Sequence, residues 1–430
     1  MKIVAKTPPM GWNSWDCYGA SVTEEEILGN AEYMAKYLKP YGWEYVVCDI
    51  QWYEPTADGS RYHKFADLAM DEYSRLIPAE NRFPSSRGGK GFAPLAEKIH
   101  AMGLKFGIHI MRGIPRQAVH RNTKILGTSA TARQVAKEFS VCAWNTDMYG
   151  VDSHCEGAQE YYNSIFNLYA SWGVDFVKVD DICNMKYKPQ EPYADKDEIE
   201  MIRKAIDQCG REMVLSLSPG PAVPEEARHL KEHANMWRLT DDFWDNWPAL
   251  LAMFERCSIW APHAGQNHWP DCDMLPLGHI GIRSSEDGSS DRMSRFTRNE
   301  QKTMMTLWSI FRSPLMMGGE MRDNDPWTLS LLTNERLLAV HREGRGARQF
   351  SREDGLIVWH SRLTDGRDCV AVFNVDDQEK QARVDLENVG VTQQRRAEEI
   401  WDQPFVLMEG RLSGEIPPHG CLCVLLGEIS

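Results

Sequence analysis

The sequence has no long apolar run and no regularly spaced cysteines. No segment is long and apolar enough to cross a membrane, and the first residues lack the apolar stretch of a signal peptide. The 11 cysteines form no CxxC pair and no Cys/His spacing typical of zinc. These absences argue against a membrane protein and a disulfide-stapled domain and give no sign of a metal or other cofactor. We expect a cytoplasmic protein.

Basic residues are also in short supply. The chain carries 48 Lys and Arg against 62 Asp and Glu, a formal net charge of -14, and its basic residues are scattered rather than gathered into a stripe. Such a charge balance repels a phosphate backbone. We therefore expect no nucleic-acid partner.

The chain is long enough for two domains of different type. Its 430 residues are 42% hydrophobic, and domains average about 150 residues, although barrels run longer. From residue 9 to about 320, short apolar runs alternate with helical patterns, which is typical of βα units and a parallel sheet. Eight strands are predicted, at residues 10–12, 45–48, 105–110, 176–179, 214–217, 236–239, 268–271 and 314–317.

These patterns predict an α/β fold with a (β/α)₈ TIM barrel over residues 1–340. A small all-β domain is predicted over residues 341–430, where short alternating strands are separated by turn signals such as Thr364-Asp365-Gly366. Residues 111–157 are too long for a plain connection. We expect them to form a wall over the mouth of the barrel, because long loops at that end usually serve function.

Polar side chains follow the predicted strands at the end where barrel enzymes bind their substrates. Lys178 and Asp180 share one face of the fourth strand, and Arg238 and Asp242 share one face of the sixth, because side chains alternate along a strand. A charged row is costly in a sealed core, so each should open into a solvated cleft. Two acids placed in this way suggest glycoside hydrolysis. The other strand-end residues are Asp49, Gln51, His109, Ser218 and Asp273.

Two other classes of protein would also gather acids at strand ends. A metal-dependent barrel enzyme needs three or more close ligands without a central cation, so Lys178 and Arg238 argue against a divalent ion. Activity that survives EDTA would discriminate that class. A non-catalytic sugar-binding protein would keep hydroxyl-binding residues after losing catalysis, but both candidate catalytic acids are present.

Four motifs in the barrel resemble those of glycoside hydrolase family 27. They are Thr7-Pro8-Pro9-Met10-Gly11-Trp12-Asn13-Ser14-Trp15, Lys178-Val179-Asp180, Trp237-Arg238 with Asp242 four residues later, and Trp269-Pro270-Asp271-Cys272-Asp273-Met274-Leu275. The family contains retaining α-galactosidases, α-N-acetylgalactosaminidases and β-L-arabinopyranosidases. The resemblance spans residues 7–334 and implies that an antiparallel β-sandwich domain follows the barrel.

The resemblance also implies a role for each matching residue. The family's nucleophile falls on Asp180 and its acid/base on Asp242, the pair that strand parity favours, and a retaining enzyme holds two such carboxyls about 5 Å apart. The substrate is then a carbohydrate of galacto configuration. The implied contacts are Asp49 to the axial 4-OH, Lys178 to the 3-OH and 4-OH region, Arg238 to the 2-OH, Asp273 to the 2-OH neighbourhood, and Trp15 to the apolar face or C5 side of the ring.

Ile50 departs from the family pattern. The family's galactosidases have consecutive aspartates after the second strand, whereas this chain has Asp49 and then Ile50. The missing acid would partner the sugar's 6-OH, and a buried hydroxyl left unpaired costs about 1–3 kcal/mol. Removing CH₂OH from α-D-galactopyranose gives β-L-arabinopyranose, so we predict a preference for β-L-arabinopyranosides and weaker α-D-galactosidase activity. Alternatively, Ile50 merely packs and Gln51 or a loop Asp binds the 6-OH, as in an α-galactosidase proper.

A second departure follows the fifth strand. Residues 216–221, which include Ser218, replace a bulkier family segment that crowds the sugar's 2-substituent. Small residues leave room for an N-acetyl group, so an α-N-acetylgalactosaminidase is a further alternative. A cysteine of the family's common disulfide near the second strand is also missing, which agrees with a cytoplasmic location. Exo action follows if residues 111–157 close the pocket, and a homo-oligomer is suggested by analogy only.

Overall fold

A computed structural model of the protein describes residues 1–183, 193, 195–284, 290–391 and 395–428. Its strands are β1 (Met10–Asn13), β2 (Tyr45–Cys48), β3 (Lys105–Met111), β4 (Ile114–Pro115), β5 (Ala136–Val141), β6 (Met148–Val151), β7 (Phe176–Asp180), β8 (Val214–Leu217), β9 (Met236–Arg238), β10 (Trp269–Asp271), β11 (His279–Ile280), β12 (Arg292–Met293), β13 (Leu315–Met317), β14 (Gly344–Glu353), β15 (Leu356–Leu363), β16 (Asp368–Asn374), β17 (Lys380–Asp385), β18 (Arg395–Glu399), β19 (Val406–Met408), β20 (Arg411–Ile416) and β21 (Cys421–Glu428). Its α-helices are α1 (Trp15–Tyr18), α2 (Glu24–Tyr33), α3 (Ala93–Ala101), α4 (Arg116–Arg121), α5 (Ala132–Val135), α6 (Ala158–Ser171), α7 (Lys196–Gln208), α8 (Ala227–His233), α9 (Trp247–Trp260), α10 (Arg298–Phe311), α11 (Pro326–Leu332) and α12 (Glu335–Glu343).

Eight of these strands form the predicted barrel. They lie in the order β10, β9, β8, β7, β3, β2, β1, β13, and every neighbouring pair is parallel. The ring closes through a parallel bridge between Leu275, just past β10, and Met317 of β13. The (β/α)₈ TIM barrel is confirmed, and each strand begins and ends within about one residue of its predicted position.

Side-chain caps begin several of the barrel helices. Before α2, the Thr23 hydroxyl accepts from the Glu26 N–H while the Glu26 carboxylate accepts from the Thr23 N–H. Thr297 and Glu300 begin α10 in the same way. Each such box satisfies two backbone donors that the helix leaves unpaired. The apolar side chains that recur at helical spacing along and just after α6 are all buried: Tyr162, Ile165, Phe166, Tyr169 and Trp172.

The long segment after β3 has a small sheet of its own. β4, β6 and β5 pair antiparallel in that order, with α4 and α5 between β4 and β5 in the chain. Gln51, just past β2, donates from Nε2 to Asp147 Oδ2 at 2.5 Å. The segment therefore contacts the strand-end face of the barrel, which supports the predicted wall.

Two antiparallel sheets make up the C-terminal part of the chain. β14, β15, β16, β21 and β18 form the larger sheet, and β17, β20 and β19 form the smaller one. Buried side chains from both sheets, such as Val372, Val384 and Leu422, belong to one apolar cluster. The β-sandwich implied by the family resemblance is therefore confirmed.

The larger sheet also packs against the barrel helices. The Phe373 ring lies 5.0 Å from that of Phe254 on α9. Cys421 and Cys423 belong to the main apolar cluster of the barrel, whereas Leu422 between them belongs to the sandwich cluster. This split places the two thiols on one face of β21, and all 11 cysteines are free thiols. The domain division at residue 340 stays a prediction; α12 ends and β14 begins close to it.

Candidate active site

The carboxylate of Asp180 lies at the end of β7 and contacts His109 of β3. His109 Nε2 is 3.0 Å from Asp180 Oδ2, and the Asp181 N–H donates to Asp180 Oδ1 at 2.8 Å. Burial raises the pKa of Asp180, but the hydrogen bond and charge of His109, with a smaller effect of Lys178, bring that pKa down to about 2. Asp180 is therefore ionised at neutral pH, with His109 a stronger influence than the lysine.

Lys178 pairs with Asp49 rather than with Asp180. Its Nζ donates to Asp49 Oδ2 at 3.0 Å, and Asn13 Nδ2 donates to the same oxygen at 2.7 Å. Burial raises the pKa of Asp49, but the charges of Lys178 and His109 outweigh it, so the pKa lies below its usual value. The result is an almost fully buried ion pair next to Asp180.

Arg238 joins two acids at the end of β9. Its Nη2 donates to Asp242 Oδ1 at 2.9 Å and lies 3.0 Å from Asp273 Oδ2. The prediction that Arg238 and Asp242 share one strand face is wrong. β9 ends at Arg238, and Asp242 lies in the bend that follows. The two side chains meet because the chain turns back within four residues. Strand parity holds for Lys178 and Asp180, since both lie on β7.

The carboxyl of Asp242 has a raised pKa. About half of the side chain, 48%, is exposed, yet the surrounding protein weakens its hydration and raises its pKa. Arg238 opposes this increase, whereas the charges of Asp273 and Asp180 add to it. A second acid, Asp271 at the end of β10, has its pKa raised to about 7 by burial and by the charge of Asp273.

Ile50 is buried directly after Asp49. Its side chain is 1% exposed, and its backbone N–H donates to Asp49 Oδ1 at 2.9 Å. Gln51 is also buried; its Nε2 binds Asp147, and its Oε1 has no hydrogen-bond partner among the described residues. Burial raises the pKa of Asp147 to about 6. The hydrogen-bonded pair of Gln51 and Asp147 therefore begins at the residue that follows Ile50.

The segment after β8 packs on the end of β9. The Gly220 N–H donates to Thr240 O and the Ala222 N–H to Arg238 O, each at 2.9 Å. A Cβ on Gly220 would lie 2.5 Å from Arg238 O, so no side chain fits there. The buried Ser218 donates from Oγ to Val179 O at 3.5 Å, next to Asp180 in the chain.

An aromatic row connects α1 to the insertion after β3. Trp15 stacks on Tyr62 with ring centroids 6.2 Å apart and planes inclined by 17°, and Tyr62 lies 5.6 Å from Trp144. Trp15 and the segment 111–157, which contains Trp144, were singled out from the sequence, but Tyr62 was not. It lies in a segment without strand or helix periodicity, so no pattern singled it out.

Arg112 binds Asp181, the residue whose N–H donates to Asp180, and the sequence analysis did not identify it. Its Nε donates to Asp181 O at 2.6 Å, and its Nη2 lies 2.9 Å from Asp181 Oδ2. Asp195 and Glu198 complete its ion pairs, at 3.0 and 3.1 Å. Its only sequence signal is a position just past a predicted strand, and no pattern in the sequence identifies its partners.

The charges at these strand ends favour acid–base chemistry over metal binding. Asp49, Asp180 and Asp242 each contact Lys178, His109 or Arg238, and cations so placed disfavour a divalent ion. One carboxyl has a lowered pKa and another a raised one, the asymmetry on which cleavage of a glycosidic bond depends. A TIM barrel with this asymmetry at its strand ends fits the class of O-glycosyl hydrolases.

Comparisons with known proteins give the family. Residues 147–343 match the family model for alpha galactosidase A, and residues 353–426 match the alpha galactosidase C-terminal beta sandwich domain. A β-L-arabinopyranosidase of family GH27 from Geobacillus stearothermophilus is 62% identical, with a TM-score of 0.96 over 99% of this chain and 97% of that one. The chain belongs to glycoside hydrolase family 27.

Two further relatives show the range of the family. A Bacillus halodurans protein proposed to be an α-N-acetylgalactosaminidase is 55% identical, with a TM-score of 0.89 over 100% of this chain and 99% of that one. An α-galactosidase from rice, Oryza sativa subsp. japonica, is 24% identical over 98% of this chain and 85% of its own length. Among the described residues, no helix has the length and apolar character that a membrane crossing requires.

Proposed function

We propose that the protein is a retaining exo-glycosidase that removes terminal β-L-arabinopyranosyl units and acts more weakly on α-D-galactopyranosides. The observation that carries the choice of sugar is Ile50, an apolar side chain buried directly after Asp49. Its backbone N–H binds Asp49, so the side chain stands beside the proposed 4-OH ligand.

In the proposed mechanism Asp180 and Asp242 divide the chemistry between them. Asp180, with its pKa lowered to about 2, attacks the anomeric carbon while Asp242 gives its proton to the leaving oxygen. Asp242 then takes a proton from a water molecule. The water oxygen attacks the anomeric carbon and breaks its bond to Asp180, which releases the sugar. The raised pKa of Asp242 supports its role as the acid.

The remaining polar residues would hold the sugar. Asp49 and Lys178 form a pair that can accept from and donate to adjacent hydroxyls, which fits the 4-OH and the 3-OH. Arg238 and Asp273 form a second pair, close to Asp242, which fits the 2-OH. Trp15 would cover the apolar side of the ring, since aromatic rings pack well on C–H faces.

Ile50 then decides between two sugars that differ only by a CH₂OH group. A 6-OH next to a buried isoleucine would lose its hydrogen bonds to water without a replacement, at a cost of about 1–3 kcal/mol. β-L-Arabinopyranose lacks that hydroxyl. The sequence identity to a β-L-arabinopyranosidase over nearly the whole chain supports the same choice.

Two other sugars have a specific observation in their favour. The unpaired Gln51 Oε1, next to a Gln51–Asp147 hydrogen bond, could accept from a 6-OH and would favour an α-galactosidase. The small residues after β8, together with the Bacillus halodurans relative, would favour an α-N-acetylgalactosaminidase. We rank both substrates below the arabinopyranoside, because the 6-OH of each would still lie next to the apolar side chain of Ile50.

The substrate assignment is tested by comparing nitrophenyl β-L-arabinopyranoside, α-D-galactopyranoside and α-N-acetylgalactosaminide. We expect the highest kcat/KM for the arabinopyranoside. Ile50→Asp should raise the ratio of galactoside to arabinopyranoside kcat/KM by about tenfold, equivalent to about 1.4 kcal/mol. Ile50→Val is the matched control, and it should leave that ratio unchanged. A wild-type enzyme that prefers the galactoside would contradict the proposal.

Retention is tested separately by following the anomeric configuration of the first product by NMR. The first-formed arabinopyranose should keep the configuration of the substrate. The opposite anomer would rule out double displacement. The cytoplasmic location, the homo-oligomer and the absence of a nucleic-acid partner stay predictions.

A further inference from the structure

A cluster of potential metal ligands lies on the outer helices, apart from the strand-end site. His229 and His233 are one turn apart on α8, and Glu200 projects from α7. One side-chain N or O atom from each lies within 4.8 Å of those of the other two. His229 Nε2 is 3.0 Å from Glu200 Oε1, and the two imidazole rings stack with centroids 4.2 Å apart.

Hydrogen bonds orient both imidazoles for coordination. His233 Nδ1 bonds to the His229 backbone O at 2.8 Å, so that nitrogen carries the proton and Nε2 keeps a lone pair. His229 Nδ1 bonds to the Tyr193 hydroxyl at 2.9 Å, which leaves its Nε2 facing Glu200. Such contacts to the second ring nitrogen fix the orientation of histidine ligands in metal sites.

The charges around the cluster also suit a cation. Lys196, on the same helix as Glu200, pairs with Glu226 at 2.6 Å, so its charge is compensated. Glu200 is half exposed and is free to adjust its rotamer.

We propose that His229, His233 and Glu200 form a binding site for a divalent transition-metal ion of the zinc type. Two imidazoles and one carboxylate match the ligands that zinc prefers, with bonds of about 2.0–2.1 Å, and leave one position for water. In this site the ion replaces the proton between His229 and Glu200. Two nitrogen ligands disfavour calcium and magnesium, which take oxygen ligands.

A bound ion would connect α7 to α8. These helices follow β7 and β8, the strands that carry Asp180 and precede the Ser218 segment. An ion that binds only the folded chain stabilises that chain by mass action. The sequence contains the His229-x₃-His233 spacing but gives no sign of Glu200 as a third ligand, which explains why no metal site was predicted.

The test is zinc titration of the EDTA-treated full-length protein by isothermal calorimetry. We expect one zinc ion per chain with a dissociation constant in the micromolar range, and a higher Tm with zinc. The double variant His229→Ala/His233→Ala should lose the site. Glu200→Gln, an exposed change that leaves the fold intact, should weaken binding at least about tenfold.

His154→Ala is the matched control, because His154 is exposed and lies outside the cluster. This control variant should bind zinc with the affinity of the wild type. The absorption spectrum of bound cobalt(II) should show tetrahedral nitrogen and oxygen coordination in the wild type and not in the double variant. Undiminished zinc binding by the double variant, or no binding by the wild type, would overturn the proposal.

Discussion

Asp181 adopts a backbone conformation that is unusual for its residue type. Its φ is +58°, in the left-handed region that costs most residues about 1 kcal/mol or more but asparagine, aspartate and glycine less. In that conformation its N–H donates to Asp180 Oδ1, and its own carboxylate and carbonyl bind Arg112. Arg112 thus fixes the orientation of the proposed nucleophile through Asp181.

The first prediction compares Asp181→Gly with Asp181→Ala. Both variants lose the ion pair, while Asp195 and Glu198 still balance Arg112. Glycine tolerates φ = +58° and should keep the N–H on Asp180, whereas alanine is strained there by about 1–2 kcal/mol. We expect alanine to lower kcat about tenfold below glycine. Asp180→Ala should abolish turnover and gives the background rate. Equal kcat values for Asp181→Gly and Asp181→Ala would refute the positioning role.

The second prediction concerns pH. The charge of Asp273 raises the pKa of Asp242, so Asp273→Asn should lower that pKa. Because the acid must be protonated, the alkaline limb of the profile of kcat/KM against pH should move to lower pH. The acid limb, which Asp180 governs, should stay far below neutral pH. Asp67→Asn, a change at an exposed acid, should leave both limbs in place.

The sequence predicts which residues share a strand face in the site, but it does not predict most of the contacts between strands. Strand alternation places Lys178 and Asp180 on one face, and the structure agrees. Alternation along one strand does not reveal which residue of the neighbouring strand lies opposite. The register of β3 on β7 sets His109 beside Lys178 and brings its ring to Asp180, a contact that depends on long-range pairing.

At the scale of elements, the segment between β8 and α8 holds the end of β9 in place. Gly220 lies against the backbone of Arg238 and Thr240, so this loop packs directly on the residue that binds Asp242. The third prediction is that Gly220→Ala displaces Arg238, which would lower kcat/KM and cost about 1–3 kcal/mol of stability. Gly265→Ala is the matched control, since a Cβ there meets nothing within 4 Å. Unchanged kinetics for Gly220→Ala would show that the loop does not position Arg238.

The barrel strands were predictable because each is a short apolar run at a regular distance from the next. β5 was not, because its pattern is mixed and most of its residues are exposed or half-buried. Its pairing with β6 includes a register shift between Lys137 and Val141, which breaks the alternation that reveals a strand. The bend after β9 was missed because Arg238, Leu239 and Thr240 alternate in polarity as the residues of a strand would.

At the scale of the whole molecule, one apolar cluster connects the barrel to the larger C-terminal sheet. The Phe254–Phe373 contact and the rings of Phe311 and Trp359, 6.4 Å apart, lie within it. The sheet is covered on both faces, so separating it from the barrel would expose core side chains. The two parts should therefore not be stable independently.

The fourth prediction follows from this shared core. Calorimetric unfolding should show a single transition for both parts, and Phe373→Ala should lower its Tm as a whole, with a cost of about 3–5 kcal/mol. Leu426→Ala, in the sandwich cluster away from the barrel, is the comparison; it should lower the same transition. Two resolved transitions, with only one shifted by Phe373→Ala, would contradict a shared core.

The contact between Ile50 and Asp49 has a consequence for how such an enzyme can change over time. Only the backbone N–H of Ile50 binds Asp49, and every residue except proline supplies that donor. The charges that set the pKa of Asp180 come from His109 and Lys178, not from position 50. If Ile50 selects the sugar as proposed, a change at this one codon can exchange the preferred sugar while the residues proposed to break the glycosidic bond are inherited unchanged.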